Sequence, residues 1–344
     1  MLFSASYANA YYLLGNSFHY ISRQLLFAVP GVIAMYVISR IDYHIFHRFA
    51  YPLMAASLVM LVIVFFMPAL NNAHRWIFIG DLINFQPSEI AKFSLVILYA
   101  HWTSINPGSV RRIEGLIPYG CVLGVIILLL IAEPHLSAMV IVVGMALIML
   151  ILGGLNLRLL GAAVVGGVPL GLLAIFVMGK WDRLMGRLQV WWNPEADARG
   201  DGWQTLQSLY SIGSGGLMGT GIGNSRQKYL FLPEPQNDFI FAIVCEELGF
   251  IGATLILLLF ALLIWRGFVI GVRARDRFGS FIALGLTAQL ALQVLLNIAV
   301  ATNSFPNTGI GLPFFSYGGT SLMMLLGQVG VILSVSRQTK PEDE

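Results

Sequence analysis

Charged residues are scarce in this chain: they make up 11% of its 344 residues, whereas hydrophobic residues make up 57%. Soluble globular proteins carry about 25% charge, so a chain of this composition is solvated mostly by lipid. The formal net charge is only +3 and the basic residues are scattered between apolar runs, which argues against a nucleic-acid partner. The composition predicts an integral membrane protein and shows no stretch long enough for a soluble domain.

Several common functional signals are missing as well. The two cysteines, Cys121 and Cys245, fall near opposite ends of predicted helices, so we expect no disulfide. Residues 1–21 lack the basic start of a signal peptide. His135 has no second histidine or cysteine at ligand spacing, so it is expected in a turn rather than as a metal ligand. The glycine run 213–223 does not fit G-x-G-x-x-G, which excludes a dinucleotide fold.

Long apolar runs fill most of the sequence. A membrane-spanning helix needs about 20 mainly apolar residues, and nine runs come close to that length. They cover roughly residues 22–39, 50–70, 86–104, 115–132, 135–154, 159–178, 239–265, 279–302 and 319–336. We therefore predict an all-α, polytopic membrane protein with about nine transmembrane helices, folded as a single domain over residues 1–344.

Basic residues cluster in alternate short loops, while the short loops between them carry little beyond Arg23 and Arg75. The clustered residues are Arg40, Arg48, Arg111, Arg112, Arg158, Arg266, Arg273, Arg275, Arg277, Arg337 and Lys340. Such residues concentrate on the cytoplasmic side of membrane proteins. The pattern therefore places residues 266–278 inside, and the N-terminus and one long loop, residues 179–238, outside.

The stretch 226–252 changes character at Asp238. Its first half is polar and contains two prolines, which predicts a loop, and its second half is an apolar helix. Asp238 therefore lies between water and hydrocarbon, where partial desolvation makes a carboxylate more basic. A solvated helix cap is the alternative interpretation. Glu246 and Glu247 lie about two turns further in, where acids are expensive and usually face a cavity or a basic partner.

A second polar cluster, Gln86-Pro87-Ser88-Glu89, opens the third apolar run. Proline and an acid suit the first turn of a helix, and Lys92 follows Glu89 on the same face, so an intrahelical ion pair is expected. Arg75, which follows Asn71-Asn72-Ala73-His74, has two interpretations. It is either an outer-face cation for pyrophosphate or a snorkelling residue beside Trp76.

The outer loop 179–238 is rich in tryptophan and glycine. Trp191, Trp192 and Trp203 are typical of the aromatic belt at a membrane interface. Six of the eleven residues in 213–223 are glycine, which leaves two interpretations: a backbone cradle for an anion, or flexible packing. Near the C-terminus, residues 306–319 contain two prolines and four glycines. Irregular backbone at membrane depth is tolerated where it lines protein or water, which favours one wall of a polar site.

Three motifs together resemble the SEDS family, which includes FtsW, RodA and SpoVE. They are Gln86-Pro-Ser-Glu89, Pro233-Glu-Pro-Gln-Asn-Asp-Phe-Ile-Phe-Ala242 and Ser316-Tyr-Gly-Gly319. The resemblance covers Phe3 to Arg337 and is nearest to the FtsW and SpoVE members. It implies a glycosyltransferase that polymerises lipid-linked peptidoglycan precursor, with Asp238 as its catalytic aspartate. It also implies that Glu89 and Lys92 face a central cavity.

Two departures from the family accompany this resemblance. Members usually have ten helices, and the end of their first helix is similar to Leu2-Phe-Ser-Ala-Ser6, so this chain looks as though it lacks that helix. Members also usually carry an acid after the proline of Glu133-Pro134-His135-Leu136-Ser137, followed by Leu-Gly-Thr. Pro134 would keep the turn, but any role of that acid does not carry over to His135.

The predicted function is polymerisation of lipid II, the undecaprenyl-pyrophosphate-linked disaccharide peptide, on the outer face of the bacterial cytoplasmic membrane. Asp238 would be the general base. The predicted substrate-binding residues are Arg75, Glu89, Lys92, Gln204, Gln207, Arg226, Lys228, Glu234, Ser316 and Gly318. No cofactor is assigned. A divalent ion, Mg²⁺ or Mn²⁺, is an open alternative that would neutralise charge on the leaving pyrophosphate.

The resemblance implies a class B penicillin-binding protein transpeptidase as partner, together with other divisome or elongasome membrane proteins. Two other function classes stay open. A lipid II flippase would use Glu89, Lys92, Glu246 and Glu247 as a polar path across the bilayer. A non-catalytic divisome scaffold would need only the helices. The motifs do not distinguish division, elongation and sporulation.

Overall fold

The computed structural model describes residues 1–68, 74–79, 83–133 and 135–339. Pro134, Lys340 and residues 71–73, which appear in the motifs above, lie outside these ranges. The helices are α1 (Leu2–Leu14), α2 (His19–Arg40), α3 (His44–Ile63), α4 (Pro87–Ile105), α5 (Ile113–Ala132), α6 (Leu136–Leu152), α7 (Leu157–Val177), α8 (Trp181–Trp192), α9 (Asp201–Ser214), α10 (Ile240–Val272), α11 (Arg277–Ala301) and α12 (Gly319–Arg337). Two short strands, β1 (Ile77–Ile79) and β2 (Ile83–Phe85), pair antiparallel.

Each of the nine predicted apolar runs coincides with a helix. Among the described residues, seven helices are long and apolar enough to span a membrane: α2, α3, α5, α7, α10, α11 and α12. Helix α6 is apolar but has only 17 residues, and α4 carries polar side chains, including Lys92 and His101, that lower its hydropathy. The all-α, polytopic fold is confirmed, while the number of nine spans stays a prediction.

The chain forms two compact units. The first comprises residues 1–30, 182–264 and 293–322, and the second comprises residues 31–181, 265–292 and those from 323 onward. The single domain over residues 1–344 stays a prediction.

Helix α4 lies at the centre of the second unit, packed against α3 and α6. Its middle residues, Leu95 to Tyr99, are at most 1% exposed. Polar side chains such as Lys92 and His101 would be costly in contact with lipid, which explains the enclosed position of α4. The Tyr99 hydroxyl donates to the carbonyl oxygen of Tyr119 at 2.7 Å, so its polar tip is satisfied within the core.

The first unit contains α8 and α9, which lie inside the stretch 179–238 that the sequence predicts as a loop. Helix α8 is tied to the end of α11: Trp191 Nε1 donates to the Asn303 carbonyl at 3.1 Å, and Arg187 donates to the Asn307 carbonyl at 3.1 Å. Trp192, in contrast, is 83% exposed. An apolar ring on the outside of a membrane protein suits an interfacial belt, whereas Trp191 has a specific partner in the fold.

Helix α10 is broken at Gly249, whose φ of 67° and ψ of −170° are not helical. The glycine run satisfies the backbone groups that the break sets free. Phe250 N donates to the Gly216 carbonyl at 2.9 Å, and Thr220 N donates to the Glu246 carbonyl at 2.9 Å. Backbone groups at membrane depth need such partners because water is absent. The amides of Gly219, Thr220 and Gly221 are all engaged, so this part of the run packs against the break, and a backbone cradle for an anion elsewhere in the run stays a prediction.

Candidate active site

Asp238 lies two residues before α10, on a segment whose main chain is held at three successive carbonyls. The Gln236 carbonyl accepts from Tyr317 N at 2.8 Å, and the Asn237 carbonyl accepts from the Ser316 hydroxyl at 2.6 Å. The Asp238 carbonyl accepts from the Asn297 side chain at 2.7 Å. The chain therefore has little freedom to shift at the half-buried Asp238.

The segment 306–319 provides two of these three donors, and its role as one wall of the site stays a prediction. The Ser316 hydroxyl also accepts from Leu312 N at 2.7 Å, which closes the turn before it. Gln24 braces the same segment from α2: its amide donates to the Ser316 carbonyl at 3.3 Å and accepts from Gly318 N at 3.1 Å. In this conformation Ser316 and Gly318 form hydrogen bonds that hold the backbone of this segment. Their contacts with a substrate stay a prediction.

Two predicted substrate-binding residues, Arg226 and Glu234, are exposed on the loop before Asp238. Glu234 adopts a φ of 45°, a conformation that costs energy outside glycine, and its carboxylate accepts from Asn237 Nδ2 at 2.9 Å. Strained backbone is typical of functional loops, where the surroundings hold it in place. The exposed Arg226 side chain is accessible to an anionic ligand.

Lys228, also predicted to bind substrate, is fully buried in an ion pair. Its Nζ lies 2.8 Å from Glu247 Oε1, and the Ser4 hydroxyl donates to the same carboxylate at 2.7 Å. Nζ also lies 4.9 Å from the centre of the Tyr7 ring. Both charges are shielded from water, so breaking the pair would leave an unpaired buried charge. In this conformation Lys228 is paired with Glu247, and its contact with a substrate stays a prediction.

Glu246 holds the start of the same loop to α10. Its carboxylate accepts from the Ser211 hydroxyl at 3.0 Å, from the Ser225 hydroxyl at 2.5 Å and from Arg226 N at 2.8 Å. Hydrogen bonds to an ionised group are stronger than neutral ones. The two acids inside α10 therefore have partners within the first unit, which weakens the polar path that a flippase would require.

Gln204 and Gln207 lie on α9, but only Gln204 reaches the loops around Asp238. Its amide donates to the Pro233 carbonyl at 3.3 Å and accepts from Asn307 Nδ2 at 3.2 Å. Beside it, Trp203 Nε1 donates to the Phe231 carbonyl at 2.8 Å. Gln207 is buried. Gln204 and Trp203 thus hold the loop that leads to Asp238.

In the second unit, Glu89 and Lys92 form the predicted intrahelical ion pair at 2.7 Å. Lys92 is 2% exposed and Glu89 is 14% exposed. Both charges are drawn out of water on one face of α4, so each depends on the other.

Glu133 and His135, which follow α5, each interact with a polar residue of the second unit. Burial raises the pKa of the Glu133 carboxyl to about 8, and the charge of Arg75 acts in the opposite direction. Glu133 follows the last residue of α5 and is 1% exposed. The His135 ring lies 3.1 Å from Gln86 Nε2, which supports a role in fixing this turn.

The described residues contain no cluster of three or more His, Cys, Asp or Glu side chains suited to a metal ion. Hard divalent ions also accept amide oxygens. Gln236 Oε1 and Asn237 Oδ1 are buried and have no hydrogen-bond partner in the described part of the chain. With the adjacent Asp238 carboxylate, these oxygens fit the ligand chemistry of Mg²⁺ or Mn²⁺.

Two residues that hold the site were missed by the sequence analysis, Asn297 and Gln24. Both are buried amides in apolar helices. Gln24 is the one amide of α2, whereas Asn297 follows Gln289 and Gln293 at four-residue spacing on α11. Polar residues in membrane helices are a general indication of function or packing, and those on α11 share one helix face.

Comparison with known proteins identifies the family of this chain. The family of cell cycle proteins FtsW, RodA and SpoVE matches residues 1–341. Stage V sporulation protein E of Bacillus subtilis is 42% identical over 352 residues, which cover 99% of this chain and 93% of that protein. A probable peptidoglycan glycosyltransferase FtsW of Trichlorobacter lovleyi is 37% identical over 346 residues, covering 99% of this chain and 89% of the relative.

Solved structures agree on the fold. A chain of a peptidoglycan synthase complex, described as coordinating polymerization and crosslinking, is 26% identical with a TM-score of 0.79, over 98% of this chain and 96% of that chain. Rod shape determining protein RodA of Thermus thermophilus shares the fold, with a TM-score of 0.69 at 24% identity, over 99% of this chain and 95% of that chain. The resemblance to the SEDS proteins is confirmed, and the chain belongs to the FtsW, RodA and SpoVE family.

Proposed function

We propose that this protein polymerises lipid II into glycan strands on the outer face of the bacterial cytoplasmic membrane, with Asp238 as the general base. As a family member whose relatives include peptidoglycan glycosyltransferases, the chain is an enzyme of that class. The observation that carries the assignment of the base is the fixing of three successive carbonyls at residues 236–238. A catalytic carboxylate needs such a fixed position because its efficiency depends on geometry.

The reaction would proceed as a single displacement. Asp238 takes the proton from an acceptor sugar hydroxyl as the hydroxyl oxygen attacks the anomeric carbon of the donor. The bond between that carbon and the pyrophosphate oxygen breaks, and undecaprenyl pyrophosphate leaves with the electron pair. One carboxylate and one leaving pyrophosphate imply inversion at the anomeric carbon.

Cationic groups would stabilise the departing pyrophosphate. Arg226 is the best candidate in the first unit because it is exposed, whereas Lys228 is committed to Glu247. In the second unit, Arg75 and the Glu89–Lys92 pair are proposed to contact the precursor. A bound Mg²⁺ or Mn²⁺, held by oxygens of residues 236–238, would supply further charge neutralisation.

A class B penicillin-binding protein is the proposed partner, together with other divisome or elongasome proteins. Support comes from the fold shared with a chain of a complex that coordinates polymerization and crosslinking. Crosslinking of glycan strands requires a transpeptidase, and the described helices and loops of this chain offer no soluble domain for that reaction.

The decisive experiment replaces Asp238 with Asn, which keeps the size of the side chain but cannot accept the proton. Purified protein with its partner, whose transpeptidase is blocked by a β-lactam, is given lipid II in detergent, and polymer is resolved on gels. We expect Asp238→Asn to lose at least about 100-fold in rate, the lower end of the contribution of a general base. Asp182→Asn is the matched control, because Asp182 is an exposed acid on α8.

The same assay separates the alternatives. A scaffold would tolerate Asp238→Asn, and a flippase would not be needed for polymer synthesis from precursor supplied in detergent. Wild-type polymer yield and length from Asp238→Asn, at equal protein and partner levels, would therefore remove Asp238 as the base.

A further inference from the structure

Asn297 lies on α11 and its side chain is fully buried. Its Nδ2 donates to the Asp238 carbonyl at 2.7 Å and to the Ile310 carbonyl at 2.6 Å. Both amide hydrogens are thus directed at main-chain oxygens of two different segments. One of these segments carries the candidate base, and the other is the irregular stretch 306–319.

The other two anchors of the Asp238 segment are of a different kind. Tyr317 N and the Ser316 hydroxyl belong to the stretch 306–319, which has no regular secondary structure before Gly319. Asn297 is part of a 25-residue helix. Asn297 therefore connects both Asp238 and the stretch 306–319 directly to one long helix.

We infer that Asn297 is a positioning residue, which sets the main chain of Asp238 for proton transfer; this inference rests on the proposed role of Asp238. Asn297 acts through the Asp238 carbonyl and not through a contact of its own with substrate. Loss of its donors would let the two segments shift. A misplacement of about 1 Å in a catalytic group can lower a rate by about 100-fold.

The test uses Asn297→Leu, which has similar size but no donor. In the lipid II assay described above, we expect kcat to fall by about 10- to 100-fold while KM changes less than about threefold, because substrate binding does not involve Asn297. Gln293→Met is the matched control. Within the described part of the chain, Gln293, one turn earlier on α11, donates to the Gly311 carbonyl at 3.4 Å and not to the Asp238 segment, so near-wild-type kcat is expected.

A second variant keeps the test valid if Asn297→Leu does not fold. In Asn297→Ser, the smaller side chain keeps one hydroxyl donor and loses the other. We expect its kcat to fall by about 3- to 10-fold, with KM nearly unchanged, because one of the two segments is released. A wild-type kcat of Asn297→Ser at equal protein level would contradict the loss of a donor as the cause.

Coupling to Asp238 distinguishes positioning from general stability. If Asn297 acts through Asp238, the double variant Asp238→Asn/Asn297→Leu should be no slower than Asp238→Asn alone, within about twofold. A further loss equal to that of Asn297→Leu would show an independent effect and overturn the inference.

The two proposals fail differently. If Asp238→Asn polymerises at the wild-type rate, the base assignment is wrong. If Asp238→Asn is inactive but Asn297→Leu or Asn297→Ser has wild-type kcat, the proposed function stands and the positioning role of Asn297 is wrong.

Discussion

Lys92 is almost fully enclosed and Glu89 is only slightly exposed, so their pair places two opposite charges where water screens them poorly. Removing one partner leaves the other charge buried alone, whereas removing both does not. This asymmetry provides a way to separate the structural role of the pair from a role in substrate binding.

We predict that Glu89→Gln and Lys92→Met each lower the thermal unfolding midpoint of the protein in detergent, and that the double variant recovers most of that loss. Polymerisation of lipid II by the double variant should stay as low as that of the worse single variant, because the substrate contacts are not restored. Full activity of the double variant at equal protein level would reduce the pair to a structural role.

Glu133 gives a prediction on pH. Its pKa is raised from 4.5 to about 8 by burial, so between these values the folded protein keeps a proton that the unfolded chain releases. Unfolding then releases a proton, and stability falls as pH rises through this window. Glu133→Gln should reduce the decline of the unfolding midpoint between about pH 5 and pH 8. The exposed Glu114, at the other end of α5, serves as control through Glu114→Gln. Equal slopes for wild type and Glu133→Gln would contradict the prediction.

At the scale of elements, the helices of this protein follow from the length and composition of its apolar runs, because a bilayer demands about 20 apolar residues per span. The break in α10 does not follow from them. It depends on partners in the loop 215–221, more than 20 residues earlier in sequence. Amphipathic α8 and polar α9 escaped prediction for a similar reason, since long-range contacts such as Trp191 with Asn303 hold them.

In the site, too, local sequence motifs could be predicted and long-range contacts could not. The motif around Asp238 and the Ser316 turn could be found from sequence because their residues are contiguous. The contacts of Asn297, 59 positions from Asp238, and of Gln24, 292 positions from Ser316, have no local pattern. Lys228 was predicted to bind substrate because its charge is visible in sequence. The sequence does not show that Lys228 pairs with Glu247, because only the fold brings the two side chains together.

The close contact between the glycine run and α10 leads to a prediction at two neighbouring glycines. A Cβ on Gly215 would lie 2.0 Å from the Cys245 carbonyl oxygen, whereas a Cβ on Gly213 would meet nothing within 4 Å. Gly215→Ala should therefore destabilise the protein by roughly 1–3 kcal/mol through overpacking. Gly213→Ala, inside α9, should be neutral or stabilising by up to about 1 kcal/mol. Thermal unfolding in detergent measures both, and a Gly215→Ala protein as stable as Gly213→Ala would contradict the close approach of residue 215 to α10.

At the scale of the whole molecule, the charges of the loops predict the orientation in the membrane. The arginines near 40–48, 111–112, 158 and 266–277 fall on the side that the positive-inside tendency assigns to the cytoplasm. The proposed reaction requires Asp238 on the opposite, outer side of the membrane, because the precursor sugars are polymerised outside. The function and the topology can therefore be tested against each other.

Single cysteines provide that test, in a background with Cys121→Ser and Cys245→Ala. Ala196 lies exposed between α8 and α9, and Asn106 lies exposed just after α4, next to Arg111 and Arg112. A membrane-impermeant thiol reagent on intact cells or spheroplasts should label Ala196→Cys and spare Asn106→Cys until the membrane is opened. Both positions must be labelled in lysed membranes, which shows that each thiol is accessible. Labelling of Asn106→Cys but not Ala196→Cys in intact cells would place Asp238 in the cytoplasm, and an outward-facing lipid II polymerase would then be untenable.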